Sequence, residues 1–179
     1  LSVEYLGAPD DPIYAAFMVK WHIAAVARIM RPGCQVDNMI VLESPQGRKK
    51  SSYVRTMATV GGIEYFCDDV GDIANKDSVI RLHGCWLVEI AELASLRRSD
   101  TETNKAWITR RSDRYRPPYE REVKDVPRHF VLAASVNPSG YGYLKDPTGN
   151  RRFWPVPIRD IDVERVARDR NQLWAEAVH

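Results

Sequence analysis

Short apolar runs alternate with helical patterns along this chain, and this alternation limits the fold more than any other feature. The runs at 38–43, 85–89 and 129–136 have the length and apolar character of strands. Around them, apolar residues recur at the three- and four-residue spacing of helices. Because strands that alternate with helices form mainly parallel sheets, the pattern predicts a three-layer α/β fold.

Further elements follow from the same patterns and from turn residues. The run 12–31 predicts a helix that ends at Pro32-Gly33, and the amphipathic tail from Asp162 predicts another. Residues 110–128 hold three prolines and predict a loop or a hairpin. The remaining predicted elements are strands at 63–67 and 153–158 and helices at 51–60, 91–99 and 102–108.

Composition favours a globular protein of a reducing cytoplasm. The 179 residues suit one domain, and a formal net charge of +2 is too small to indicate nucleic-acid binding on its own. Three dispersed cysteines predict neither a zinc site nor a disulfide framework, and we expect no membrane span. The chain lacks an initial methionine, so we expect a fragment of a longer protein, with a helical segment at 1–36 and a core at 37–179.

One loop carries the spacing of a phosphate-binding motif. In the template GxxxxGK[ST], glycines let backbone N–H groups wrap phosphates, lysine binds phosphate charge, and the hydroxyl holds Mg²⁺. Residues 44–51 match it with Lys50 and Ser51, but Ser44 and Lys49 replace the two glycines. The loop predicts ATP and Mg²⁺ binding, with a basic surface turn as the alternative. The predicted phosphate-binding residues are Pro45, Gln46, Gly47, Arg48, Lys49, Lys50, Ser51 and Ser52.

Two carboxylates close the second apolar run. P-loop enzymes need one acidic residue to position Mg²⁺ and another to orient the attacking water. Glu89 is predicted to bind the metal together with Ser51, and Glu92 to act as the base. A solvated helix start explains Glu92 equally well, because acidic residues favour the first turn of a helix.

Residues 110–128 form a basic segment with interleaved aromatic residues. It holds seven Lys or Arg against four Asp or Glu, together with Tyr115 and Tyr119. Cations contact phosphates and aromatic rings stack on bases, so the mixture favours single-stranded nucleic acid as a partner. A solvated basic loop is the alternative.

Polar residues also flank the later strands. Asn137 closes the run 129–136, where its amide is predicted to sense the γ-phosphate or orient water, although Asn137-Pro138-Ser139-Gly140 is also an ordinary turn signal. Arg151 and Arg152 precede an aromatic strand and are candidates for an arginine finger that acts on a neighbouring subunit. Arginines that cap acidic loops are the alternative.

Several of these motifs, taken in order, resemble the virulence-associated protein E family of phages, prophages and pathogenicity islands. The resemblance covers residues 12–179. It begins with the glycine-poor loop and continues through Trp-Leu-Val-Glu-Ile-Ala-Glu-Leu at 86–93, Lys-Ala-Trp-Ile-Thr-Arg at 105–110, Tyr-Arg-Pro-Pro-Tyr at 115–119, Asn137, and Asp-Pro-Thr-Gly-Asn-Arg-Arg-Phe-Trp-Pro-Val at 146–156.

The resemblance implies an AAA+ P-loop NTPase related to superfamily 3 helicases and assembled as a hexameric ring. It implies that Lys50 and Ser51 are the phosphate-loop pair and that Glu89, with Glu92 close by, is the metal-binding acid. Asn137 matches the sensor, and Arg151 or Arg152 the finger. The implied DNA-binding residues, on or before a hairpin, are Lys105, Arg110, Arg111, Arg114, Tyr115 and Arg116.

Together the residues and the resemblance predict the ATP-hydrolysing, DNA-translocating core of a phage or mobile-element replication protein. Its expected partners are single-stranded or forked DNA, further copies of the chain, and a primase module elsewhere in the longer protein. The alternative is a nucleotide- and DNA-binding initiator or regulatory module without turnover. The loss of the loop glycines motivates this second hypothesis, because a Cβ at position 49 restricts the tight turn.

Overall fold

A parallel sheet forms the centre of the fold in the computed structural model, which describes residues 1–71, 75–91, 101–117, 119–137 and 150–179. Its strands are β1 (Met39–Glu43), β4 (Phe66–Cys67), β5 (Leu87–Ala91), β8 (Val131–Val136) and β9 (Phe153–Pro157). They lie in the order β4-β5-β8-β1-β9, and every neighbouring pair is parallel. The predicted α/β architecture with a mainly parallel sheet is therefore confirmed.

Helices cover both faces of this sheet because its inner strands are apolar on both sides. In β1, Ile40 and Leu42 pack into one hydrophobic cluster while Met39 and Val41 pack into another. The helices are α1 (Ser2–Leu6), α2 (Pro12–Met30), α3 (Lys50–Ala58), α4 (Lys76–Arg81), α5 (Thr101–Ile108) and α6 (Val163–Val178). The first cluster includes buried residues of α2, α3 and α6, and the second includes residues of α5.

Two small hairpins stand apart from the central sheet. The strands β2 (Thr59–Val60) and β3 (Ile63–Glu64) pair across Gly61-Gly62, and β6 (Ser112–Tyr115) pairs with β7 (Lys124–Pro127). The prediction of one strand over 63–67 was wrong. Gly61 and Gly62 both have positive φ, which favours a two-residue hairpin turn, so 63–64 pairs back while Phe66–Cys67 joins the central sheet.

The other predicted elements agree with the structure within a few residues, except around Ala91. That residue ends β5 instead of starting a helix, and the rest of the predicted helix 91–99 lies outside the described residues. The segment 110–128 contains a hairpin, as one of the two predicted forms.

Helix α2 is apolar enough to raise the question of a membrane. By length and composition alone it could cross a bilayer, which is weak evidence because a helix packed on a soluble core passes the same test. In the fold, Met18, Trp21 and Ala25 of α2 are buried in a core cluster, and Trp21 Nε1 donates to the Leu132 carbonyl over 2.8 Å.

Candidate functional site

The predicted phosphate loop joins the carboxyl end of β1 to the start of α3. Ser44 is buried at its beginning, whereas residues 45–49 are exposed. Gly47 has φ 82, and Lys49 takes the left-handed conformation, with φ 57 and ψ 26, at the N-cap of α3. Lys49 thus adopts the backbone conformation that glycine favours at this position of the template.

The Lys50 side chain folds back onto the loop. Its Nζ donates to the Ser44 carbonyl over 2.6 Å, to Ser44 Oγ over 2.9 Å and to the Pro45 carbonyl over 3.0 Å. Burial lowers the pKa of Lys50, and the charge of Glu89 opposes that shift. An ammonium group with all three protons engaged holds the loop in a closed curve and must exchange at least one contact to bind a phosphate.

Glu89 lies in the middle of β5, not at its end. The apolar run was predicted to close at this carboxylate, but the strand continues through Ile90 to Ala91. Strand alternation turns Glu89 to the face of Leu87, whereas Val88 and Ile90 pack on the opposite face. The Glu89 side chain is consequently fully buried, with 0% exposure.

Ser51 and Glu89 meet beneath the loop. The Ser51 hydroxyl, in the first turn of α3, donates to Glu89 Oε1 over 2.9 Å. The other carboxylate oxygen, Oε2, is buried and has no hydrogen-bond partner among the described residues. Burial raises the pKa of Glu89, and the hydroxyls of Ser135 and Ser51 offset part of that rise. A buried, unpaired carboxylate oxygen beside a hydroxyl fits the oxygen ligands that Mg²⁺ takes, so the predicted metal pair suits the ion.

Asn137 faces the same cavity as the loop. It follows β8, which lies between β1 and β5, and the backbone N–H of Ser44 donates to the Val136 carbonyl over 3.1 Å. The cavity has a volume of about 280 Å³. Its lining residues are Gln46, Gly47, Arg48, Lys49, Lys50, Ser51, Ser52, Ala91, Ser135, Val136 and Asn137. The fold therefore brings most of the predicted loop and the predicted sensor together, while Glu92 lies outside the described residues.

Arg151 and Arg152, the two finger candidates, lie at the amino ends of the parallel strands, whereas the loop lies at their carboxyl ends. Arg151 and Arg152 directly precede β9, whose first residue, Phe153, pairs with Met39 at the amino end of β1. The loop leaves β1 at its carboxyl end, roughly 15 Å away at about 3.3 Å per residue. Neither arginine lines the cavity at the loop of its own chain. Arg151 is exposed, and Arg152 Nε is buried without a hydrogen-bond partner among the described residues.

The predicted DNA-binding residues divide into exposed and buried groups. On or beside the β6–β7 hairpin, four arginines are exposed, and Tyr119 is fully exposed with φ 68. Tyr115 is instead buried, with its hydroxyl 3.3 Å from His83 Nδ1, and Lys105 of α5 is only 6% exposed. The exposed arginines are Arg110, Arg111, Arg114 and Arg116.

The base of this hairpin contains a buried ion pair that the sequence did not reveal. Arg128 was counted with the basic segment, but it is 3% exposed and binds Asp113 with two hydrogen bonds of 2.6 and 2.7 Å. Arg28 of α2 is also buried and donates to the carbonyls of Arg128 and Arg110. In the sequence, the two-residue spacing of Asp113 and Tyr115 is consistent with both side chains facing the same side of a strand. This spacing does not identify Arg128 as the partner of Asp113.

The fold resembles solved structures of the C-terminal region of NrS-1. An apo A form of that region has a TM-score of 0.59 at 13% identity, covering 89% of this chain and 40% of that one. A second apo structure has a TM-score of 0.56 at 17% identity, covering 90% of this chain and 41% of that one. This chain thus spans about two fifths of the length of those chains, and at such identities the likeness concerns the fold.

Sequence comparison gives the family. No curated protein sequence matches the chain. A family model, described as the virulence-associated protein E-like domain, matches residues 1–179, the entire sequence. The family that the sequence motifs predicted is confirmed, and this chain belongs to the virulence-associated protein E-like family.

Proposed function

We propose that this chain is the ATP-hydrolysing motor core of a DNA-translocating replication protein from a phage or another mobile element. The observation that carries the proposal is the Ser51–Glu89 pair beneath a cationic loop at the carboxyl edge of a parallel sheet. Ligands of open α/β sheets bind at this edge, because loops and helix N-termini converge there. Membership of the family and a fold like that of the NrS-1 C-terminal region support the proposal.

Phosphate binding falls to the loop and to Lys50. The curve of residues 45–49 and the N-terminus of α3 present backbone N–H groups to an anion, and the helix dipole favours negative charge there. Lys50 already lies beside Ser44 and Pro45, so a local rotation of its side chain would transfer the ammonium to a phosphate oxygen.

Ser51 and Glu89 would hold Mg²⁺, which neutralises charge on the phosphate oxygens when bound. Burial raises the pKa of Glu89. A cation bound beside this carboxylate would offset that effect, because it favours the ionised form. Asn137, at the end of the strand between β1 and β5, would orient the attacking water or the γ-phosphate. Glu92 remains the proposed base.

Assembly into a ring would complete the site. Arg151 and Arg152 lie at the amino ends of the strands, and the loop of the same chain lies at the carboxyl ends. An arginine finger from this pair would therefore act only on a neighbouring copy. The exposed arginines of the β6–β7 hairpin and Tyr119 would contact the DNA backbone and bases. Hydrolysis would then move this hairpin along one strand.

ATP turnover tests the proposal, measured with Mg²⁺ and single-stranded DNA on wild type and on Glu89→Gln. We expect turnover above background in the wild type and its loss in Glu89→Gln, since the amide has the same shape but lacks the charge that binds Mg²⁺. Glu64→Gln, at an exposed glutamate of β3, is the matched control and should turn over normally. Absence of wild-type turnover in an oligomeric preparation with DNA present would reject the motor.

A nucleotide- and DNA-binding initiator or regulatory module without turnover is the second candidate. It is favoured by the state of the loop, in which Lys50 is saturated by three acceptors and Lys49 occupies a strained conformation. This candidate predicts that ATP binds and stabilises the wild type while Glu89→Gln leaves the hydrolysis rate at the same background level.

A further inference from the structure

Lys49 occupies a conformation that a lysine adopts only at a steric cost. It is one of two non-glycine residues with positive φ among those described, and φ 57 with ψ 26 puts it in the left-handed region. Glycine would adopt this conformation without strain. The side chain is exposed, so packing does not explain why a lysine stands there.

The two neighbouring lysines differ in their contacts. Lys50 has all three ammonium protons engaged by Ser44 and Pro45. The Lys49 backbone carbonyl accepts from the Tyr53 N–H, but its side-chain ammonium makes no hydrogen bond or ion pair with any residue that the structure describes. Lys49 therefore offers a free charge where Lys50 is already committed to the loop.

The cavity next to Lys49 is cationic. Arg48, Lys49 and Lys50 line it, and none of its described lining residues is acidic. Glu89, the nearest carboxylate that the site uses, is buried under Ser51, with one oxygen free for a metal. Three cations around a cavity of about 280 Å³ suit a polyanion such as a triphosphate.

We propose that the Lys49 side chain is a phosphate ligand of the loop, taking the place of a glycine whose role is only conformational. The inference rests on the proposed nucleotide site and adds a residue to it. The Lys49 ammonium binds the incoming triphosphate while Lys50 is still bound to the loop carbonyls. In the nucleotide-bound protein, the attraction between the Lys49 ammonium and the phosphate offsets the backbone strain at residue 49. In the free protein the same strain has no such compensation.

Replacement of Lys49 by glycine distinguishes a phosphate ligand from a residue that only fills the position. The two possibilities predict different changes in nucleotide affinity. If Lys49 is only a tolerated substitute, Lys49→Gly relaxes the backbone and nucleotide binds equally well or more tightly. If Lys49 is a ligand, the same change stabilises the free protein and weakens binding.

The experiment measures the affinity of a fluorescent ATP analogue with Mg²⁺ at two salt concentrations, together with Tm, for a set of variants of the full chain. We expect Lys49→Gly and Lys49→Asn to lose about tenfold in affinity, the effect of one charge-assisted contact. Asn tolerates the left-handed region without a charge, and Lys49→Arg should retain affinity. The salt dependence should be weaker in the two uncharged variants, while Tm rises in Lys49→Gly.

Lys50→Ala reports separately on the proposed site. Wild-type binding that Lys50→Ala abolishes and Lys49→Gly weakens supports both proposals. Binding that Lys50→Ala abolishes but Lys49→Gly leaves unchanged or strengthens overturns the role of Lys49 and keeps the nucleotide site. A wild type that does not bind the analogue overturns both.

Discussion

Ser51 Oγ donates to Glu89 Oε1 over 2.9 Å, linking the first turn of the helix after the loop to a fully buried carboxylate two strands away. The bond fixes one carboxylate oxygen and leaves the other, Oε2, without a partner among the described residues. A buried acceptor in this state carries an unfavourable desolvation energy. The pair is therefore poised for a cation, and its cost to the fold can be measured.

Glu89→Gln should abolish any ATP turnover without destabilising the protein. The pKa of Glu89 is raised by burial, so the charged form weakens the fold at pH values above that pKa, and stability increases as the pH falls through it. A neutral amide removes this term, and we expect Tm at pH 8 to be equal to or above that of wild type. A clear fall in Tm would show that the carboxylate stabilises the fold.

Acid should destabilise the protein through His22. This histidine is buried, its Nδ1 lies 2.7 Å from the Met18 carbonyl, and its Nε2 lies 3.3 Å from the Tyr53 hydroxyl. Burial lowers the pKa of His22 from 6.5 to about 4, so stability present above pH 6.5 is lost as the pH falls toward 4. At 1.36 kcal/mol per pKa unit the full loss is about 3 kcal/mol.

His22→Gln keeps a donor and an acceptor but does not titrate. Urea unfolding between pH 7 and pH 4 should show a smaller loss of stability in this variant than in wild type, with His179→Gln, at an exposed histidine, as the control. Equal acid sensitivity of His22→Gln and wild type would rule out His22 as the cause.

The Asp113–Arg128 pair should be a major determinant of hairpin stability. Both side chains are buried, and Arg128 also donates to the Trp107 carbonyl over 2.6 Å. Breaking such a pair leaves an uncompensated buried charge, so Asp113→Asn should lower the free energy of unfolding by about 3–5 kcal/mol. The double variant Asp113→Leu/Arg128→Met should lose less free energy of unfolding than the sum of the losses in Asp113→Leu and in Arg128→Met. Additive losses in this double-mutant cycle would contradict the coupling.

Much of the fold was predictable from the sequence because its strands are apolar runs and its helices have apolar spacing. The errors share a physical reason, which is that tertiary contacts override local pattern. The hairpin turn at Gly61-Gly62 divides the predicted strand 63–67 into two strands. Strand β5 continues beyond Glu89, whose carboxylate accepts a hydrogen bond from Ser51 within the fold. Nothing local distinguishes Arg128, buried against Asp113, from the exposed Arg114.

Single-stranded DNA affinity should depend on the exposed hairpin arginines and on Tyr119. Arg114→Ala/Arg116→Ala should weaken binding and lower the slope of log K against log salt by about 0.7 per lost phosphate contact. Tyr119→Ala should weaken binding without changing that slope, because a stacked ring releases no counterions. Arg168→Ala, at an exposed arginine of α6, is the control. An unchanged slope in the double variant would remove the hairpin from the DNA interface.

A structure of the oligomer with a non-hydrolysable ATP analogue and Mg²⁺ tests the central claim most directly. We predict that backbone N–H groups of 46–51 surround the phosphates, that Lys50 Nζ leaves the Ser44 and Pro45 carbonyls for a phosphate oxygen, and that Ser51 and Glu89 hold the metal. A nucleotide bound elsewhere, with Lys50 still on the loop carbonyls and Glu89 still without a metal, would contradict the claim.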